Sequence, residues 1–123
     1  VAWAFLVGLI VQVFLISLYV FNRSDVSAAN AHVGLGWLLH LAPLLILPLA
    51  FFSRAGRAHW LWALALAIVV FIVPILAVMR DSSTVAAALH PVGAMVAFAI
   101  SFVVATNSLR ALRQDTESVT AHL

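Results

Sequence analysis

The chain of 123 residues contains no cysteine and no lysine, and only 8% of its residues are charged. Without cysteine it forms neither a disulfide nor a thiolate metal site, and it cannot hold a covalent haem through paired cysteines. Hydrophobic residues make up 66% of the chain, far more than the surface of a soluble domain can carry. The composition therefore predicts an integral membrane protein.

Four apolar stretches are each long enough to cross a membrane, which takes about 20 helical residues. They are predicted at residues 1–21, 31–52, 60–79 and 85–109, separated by the short polar loops "NRSDVSAAN", "SRAGRAH" and "RDSST". Short loops make consecutive helices antiparallel neighbours. The sequence predicts an all-α four-helix bundle in residues 1–109, followed by a polar tail, 110–123, that continues the last helix for a turn or two before fraying.

The arginines predict the orientation of this bundle, because short cytoplasmic loops carry an excess of basic residues. Four of the six basic residues lie in the second loop and the tail: Arg54, Arg57, Arg110 and Arg113. Arg23 and Arg80 lie in the other two loops, each close to an aspartate. We therefore expect a multi-pass protein of the cell membrane with both termini cytoplasmic. The lipid bilayer is the expected partner, and nucleic acid is not, since the basic residues lie at both ends of the helices.

Three histidines lie inside the predicted helices. His32 and His90 each follow an outer loop closely, so we expect them at nearly the same depth in the outer leaflet. His40 lies eight residues after His32, about 12 Å deeper, and cannot share a metal ion with the other two. His59 at the inner interface and His122 in the tail need no special partner.

The predicted second and fourth helices begin alike. "HVGLGWLL" and "HPVGAMVA" share a histidine, a valine and a glycine, as expected of two helical hairpins related by an axis along the membrane normal. Such a pseudo-repeat predicts His32 and His90 facing each other as the two axial ligands of a haem iron. Gly36 and Gly93, with Gly34, would then let the flat macrocycle approach the helix backbones.

Other interpretations of these residues stay open. Histidines close to the interface also reach water or loop groups, and the spacing of Gly93, Ala97 and Ser101 is typical of plain helix packing. A divalent metal held by His32 and His90 alone lacks further ligands, because no carboxylate lies at that depth. The absence of any carboxylate from the predicted spans also disfavours a transporter or channel.

Two further expectations concern polar and proline residues. We expect an interhelical hydrogen bond between Gln12 and His40, which lie at matching depths in an antiparallel hairpin. Pro91 allows two arrangements, in which the last helix starts either near Thr84, with His90 inside it, or at Pro91, with His90 as its cap.

Two arginines are predicted at the outer rim of the bundle. Arg23 closes the first helix and Arg80 closes the third, so each can lie beside the histidines. Haem propionates need cations, and the arginine fork matches a carboxylate. The alternative is that both arginines reach lipid headgroups, and the nearby Asp25 favours this alternative for Arg23.

The segments "AHVGLGWLL" and "ALHPVGAMVAFAIS", in a four-helix chain, resemble a family of small bacterial membrane proteins whose function is unassigned. The chain is also distantly similar to membrane cytochromes b and to one half of haem A synthase. This resemblance implies that His32 and His90 match positions that hold haem b. The catalytic chemistry of haem A synthase is not implied, because this chain has no carboxylate within its predicted helices.

These observations predict a membrane haem b protein, or a subunit of one, that transfers electrons through a bis-histidine haem near the extracytoplasmic face. Its partner would be a quinone or a larger respiratory membrane complex, and the sequence is also compatible with an oligomer. The alternative is a non-catalytic accessory subunit of a respiratory or transport complex, without a cofactor. The sequence does not decide whether the protein is an enzyme.

Overall fold

The computed structural model describes residues 1–53 and 55–120, so Arg54 and His122 lie outside the described residues. The described residues form helices without strands, and the five α-helices are α1 (Ala2–Phe21), α2 (Val26–His40), α3 (Ala42–Phe52), α4 (Arg57–Val78) and α5 (Thr84–Thr120). A turn of 3-10 helix, Met79–Asp81, extends α4. The predicted all-α fold class is confirmed.

These helices make four spans that are long and apolar enough to cross a membrane. The spans are Ala2–Phe21, Val26–Phe52, Arg57–Asp81 and Thr84–Arg113, with mean hydropathies of 2.5, 2.0, 2.9 and 2.0. The second span contains both α2 and α3, joined almost without a gap. The chain is therefore a four-helix bundle of membrane-spanning length, as the sequence predicts.

The four spans pack as a closed ring in chain order. α1 packs on α2 and α5, while α4 packs on α3 and α5. The second span and α5 therefore lie on opposite sides of the ring. Small residues on α5 allow close packing, because they let helix backbones approach. The buried core consists of Phe5, Ile46, Ala50, Ala63, Leu66, Val70, Ala97 and Val104.

Side-chain caps fix the first residues of α2 and α5. The Asp25 carboxylate accepts a hydrogen bond from the Ala28 N–H at 3.1 Å, and the Ser83 hydroxyl accepts one from the Ala86 N–H at 3.2 Å. Asp and Ser are favoured at this position because they satisfy an N–H that has no partner within the helix. α2 therefore begins at Val26, five residues before the predicted start.

Prolines shape the second and fourth spans. α2 ends at His40 and α3 begins at Ala42, with Pro43 in its first turn, because proline has no N–H to continue the hydrogen-bond ladder. α5 begins at Thr84 and passes through Pro91, so the first of the two predicted arrangements is found. α5 also continues to Thr120, further than the turn or two predicted for the tail.

Candidate functional site

His32 lies within the first hairpin, which α1 and α2 form. It follows Val26, the first residue of α2, by six positions, so it lies about 9 Å along the helix and not next to its first residue, as the predicted start of this helix implies. Its Nδ1 lies 3.0 Å from the backbone carbonyl oxygen of Gln12 in α1. The side chain is partly buried. The His32 ring is therefore held by α1, the other helix of its hairpin.

His90 occupies the same place in the second hairpin, which α4 and α5 form. It follows Thr84, the first residue of α5, by six positions. Its Nδ1 lies 2.9 Å from the backbone carbonyl oxygen of Val73 in α4, and it is partly buried. Both hairpins thus place a histidine two turns after a capped helix start, with its ring on the preceding span.

These contacts set the tautomer of both histidines. A carbonyl oxygen only accepts hydrogen bonds, so each Nδ1 must carry the proton and donate it. In a neutral imidazole, Nε2 then carries the free lone pair. Histidines that bind metals commonly have this arrangement, with one ring nitrogen hydrogen-bonded to a carbonyl and the other on the metal. No hydrogen bond to either Nε2 is formed by the residues described.

Glycines accompany both histidines, but neighbouring side chains cover two of them. A Cβ at Gly36 would lie 2.9 Å from Nε2 of Gln12, and a Cβ at Gly93 would lie 2.7 Å from Cγ2 of Val73. Gly34 has open space around its Cα. Gly36 and Gly93 therefore serve close helix packing here, and a macrocycle beside them would have to displace Gln12 or Val73.

The prediction of a hydrogen bond between Gln12 and His40 is wrong, because the residues that the structure describes form no such bond. Since α2 starts early, Gln12 lies opposite His32 and Gly36, one turn before His40. The Oε1 of Gln12 is buried and accepts no hydrogen bond from any described residue. The His40 ring instead lies edge-on to two aromatic rings, with centroids 6.0 Å from Trp37 and 5.2 Å from Phe71.

Both predicted propionate partners lie at the ends of their helices. Arg80 is in the 3-10 turn that follows α4, and its Nε lies 3.6 Å from the Asp81 carboxylate. The side chains of this pair are 77% and 90% exposed, so the contact is a weak surface ion pair. Arg23 is exposed just after α1. Both guanidinium groups are accessible to an anion.

His59 is buried, whereas its position in the sequence predicts a residue at the interface. Its side chain is 4% exposed, and its Nε2 lies 3.4 Å from the Ser108 hydroxyl of α5. Its Nδ1 is buried and has no partner among the described residues. The signal in the sequence is the row of small residues on α5, including Ser101, which is fully buried, because such a row brings the neighbouring helix close.

The donor chemistry of His32 and His90 fits two axial ligands of a haem iron, since each Nδ1 donates to a backbone carbonyl and neither Nε2 has a hydrogen-bond partner among the described residues. Each imidazole ring bonds within its own hairpin, and no contact between the two rings is found among the described residues. No group of three or more His, Cys, Asp or Glu side chains in the described ranges could hold a metal ion. Comparison of the chain with protein-family models, curated proteins and solved structures found no match.

Proposed function

We propose that the protein is a membrane haem b protein, or a subunit of one, that transfers electrons through a haem held by His32 and His90. The supporting observation is that both Nδ1 atoms donate to a backbone carbonyl, at 3.0 and 2.9 Å, in equivalent places of the two hairpins. This leaves two equivalent Nε2 lone pairs, one in the second span and one in the fourth span, which lies on the opposite side of the four-helix bundle. Low-spin haem b takes two such ligands.

The two exposed arginines support the same proposal at the rim. A haem near this end of the bundle presents two propionates, and Arg80 and Arg23 lie at or just after the last residues of the third and first spans, the end of the bundle at which α2 and α5 begin. Replacing Arg80 with Gln removes a positive charge near the iron, which favours the oxidised state. The midpoint potential of the haem should then fall, and an unchanged potential would assign Arg80 to the lipid headgroups.

The proposed orientation places both termini in the cytoplasm and the histidine end of the bundle outside. It rests on the arginines of the second loop and the tail. Since the chain has no cysteine of its own, single cysteines at Ser27, Ser83 and Ala55 report the topology directly. An impermeant thiol reagent on whole cells should label the first two and spare the third, and the reverse labelling would place the haem at the cytoplasmic face.

The haem is tested by spectroscopy of the purified protein. The wild type should show a Soret band that sharpens and shifts on reduction with dithionite. His32→Ala and His90→Ala should each abolish the low-spin spectrum, whereas the matched variant His40→Phe should keep it. A spectrum that is lost in His40→Phe and kept in His90→Ala would contradict the ligand assignment.

A second candidate is an accessory subunit without a cofactor. The observation in its favour is that Gln12 and Val73 already cover Gly36 and Gly93, where a macrocycle would have to displace them. Under this interpretation the histidine bonds only join the helices of each hairpin. In this experiment haem is supplied during expression. The accessory subunit would be favoured if the purified protein contains no haem and if added haem leaves its unfolding temperature unchanged.

A further inference from the structure

The contact between His59 and Ser108 joins the beginning of α4 to α5. The Ser108 hydroxyl donates its single proton to the backbone carbonyl oxygen of Val104 at 2.9 Å, so it can only accept a proton from the imidazole. Nε2 of His59, 3.4 Å from that hydroxyl, therefore carries the proton of the neutral ring in a long hydrogen bond. Nδ1 is left as an acceptor, and it is buried without a partner among the described residues.

Protonation of Nδ1 is unfavourable while this contact is closed. A second proton would create a buried cation, and its new N–H would have no acceptor among the described residues. His59 is also the third residue of α4, where the partial positive charge of the helix N-terminus disfavours a cation. The closed contact therefore excludes the imidazolium form.

The helices around His59 bring no acidic side chain to it in the part of the chain that the structure describes. α4 packs on α3 and α5. α3 has no ionisable residue, and α1, which shares the core, has only Tyr19, near its other end. α4 itself contributes Arg57, which is exposed and lies two residues before His59. These helices therefore supply positive charge to the neighbourhood and no counter-charge.

α5 brings basic residues nearer to the contact than acidic ones. Its first charged residues after Ser108 are Arg110 and Arg113, both exposed. The acidic residues Asp115 and Glu117 follow Ser108 by seven and nine residues, so their backbones lie about 10 and 13 Å further along the helix. An imidazolium at the contact would therefore lie nearer to like charges than to opposite ones, which also disfavours it.

The beginning of α4 can open without the rest of the bundle, because this helix start has no side-chain cap. Its N-cap is Gly56, with a φ of 85°, whereas Asp25 and Ser83 cap α2 and α5. A helix end without a cap loses its first turn more easily, since its first N–H groups have fewer partners. His59 lies in this turn, so local opening brings the ring into contact with water.

We propose that the His59–Ser108 contact is a pH-sensitive switch, which holds the first turn of α4 on α5 while the imidazole is neutral and releases this turn in acid. The open form takes up a proton at the ordinary pKa of a histidine, about 6.5, and the closed form takes up none. The contact is therefore fully formed above that pH and is progressively lost below it. In the proposed orientation this end of the bundle faces the cytoplasm. The switch involves no haem and goes beyond the proposed function.

Hydrogen exchange of the amides of residues 61–63 measures the opening, because their acceptors in the helix are the carbonyls of residues 57–59. The experiment uses the full chain in detergent micelles. Protection of these amides, relative to the intrinsic exchange rate, should fall about tenfold between about pH 7.5 and 5.5, as expected of an opening linked to one histidine proton. The amides at the start of α2, whose Asp25 cap stays ionised in this range, should keep their protection.

Two replacements remove the group that binds the proton. His59→Gln keeps an N–H for Ser108 and His59→Phe keeps a ring, and a melting curve by circular dichroism shows that each variant is folded. In both, the protection of residues 61–63 should no longer depend on pH. His40→Phe, the matched control at another histidine, should keep the full response. Ser108→Ala should lower the protection at every pH without changing its pH dependence, since the titrating ring remains.

The outcomes decide the proposal even if one replacement does not fold. Protection that does not fall with pH in the wild type would overturn the switch. A response that survives in either folded His59 variant would overturn it as well. An equal fall at the starts of α2 and α4 would also contradict it, because the whole bundle would then loosen in acid.

Discussion

The two hairpins of this bundle have the same local geometry with different residues. Each helix start is fixed by a side-chain cap, from Asp25 in one hairpin and Ser83 in the other. Each histidine donates to the preceding span. The hairpins differ where the preceding span covers the glycine, with a flexible polar Gln12 in the first and a rigid apolar Val73 in the second. The repeat therefore lies in caps and hydrogen bonds more than in residue identity.

The largest difference between the hairpins should come from an added methyl group at each glycine. A Cβ at Gly93 would lie 2.7 Å from Cγ2 of Val73, and a β-branched side chain in a helix has no other comfortable rotamer. Gly93→Ala should therefore lower the free energy of unfolding by about 1–3 kcal/mol. At Gly36 the contact is the end of the flexible Gln12, so Gly36→Ala should be close to neutral.

Thermal unfolding in detergent, followed by circular dichroism, measures both glycine variants. Shortening the obstructing side chain provides the control, because Val73→Ala in the Gly93→Ala background should restore part of the lost stability. Equal losses at the two glycines would show that the hairpins pack in the same way.

Exchanging the side chains of Gln12 and Val73 should have the next largest effect. A buried carbonyl without a partner costs about 1–3 kcal/mol. Gln12→Val should therefore raise the free energy of unfolding of the ligand-free protein by roughly 1 kcal/mol, and Val73→Gln should lower it by a similar amount. A loss of stability in Gln12→Val, measured by the same unfolding experiment, would mean that the Gln12 amide has a partner within the folded chain.

The smallest expected effect is a pH dependence that is found at the Asp25 cap of α2 but not at the Ser83 cap of α5. The Ser27 hydroxyl, and then the Ala28 N–H, hold the pKa of the Asp25 carboxyl below its ordinary value. This stabilisation is complete above the pKa of an unfolded aspartate, about 3.9, and is lost as the pH falls through the lowered value. The first hairpin should therefore weaken in acid, while the Ser83 cap does not titrate.

Hydrogen exchange of the backbone amides at the start of α2 and α5 measures this difference. The amides near Ala28 should exchange faster, relative to the intrinsic rate, when the pH is lowered below about 4. Asp25→Asn keeps a good cap without a charge and should remove the pH dependence. A matching response near Ala86 would indicate a general loosening in acid.

The four spans follow from the sequence, because 20 or so apolar residues between short polar loops determine them almost alone. His32 and His90 each lie six residues after the first residue of their helix, whereas the sequence predicts His32 at the end of its helix because the predicted helix starts at residue 31. The start of α2 was missed because Asp25 lies within a polar loop, where a cap and a loop residue look the same. The hydrogen bonds from His32 to Gln12 and from His90 to Val73 depend on the axial register of neighbouring helices, which hydropathy does not determine. The burial of His59 depends on the same register.

The length of α5 has a consequence for the end of the chain. The helix runs over 37 residues, about 55 Å, whereas crossing the hydrocarbon takes about 30 Å. Starting a helix in water is unfavourable, but adding residues to an existing helix costs little. The apolar segment of α5 therefore acts as the nucleus from which the polar residues after Arg110 extend. Cut from that nucleus, a peptide of residues 110–120 would be too short to keep its helix in water.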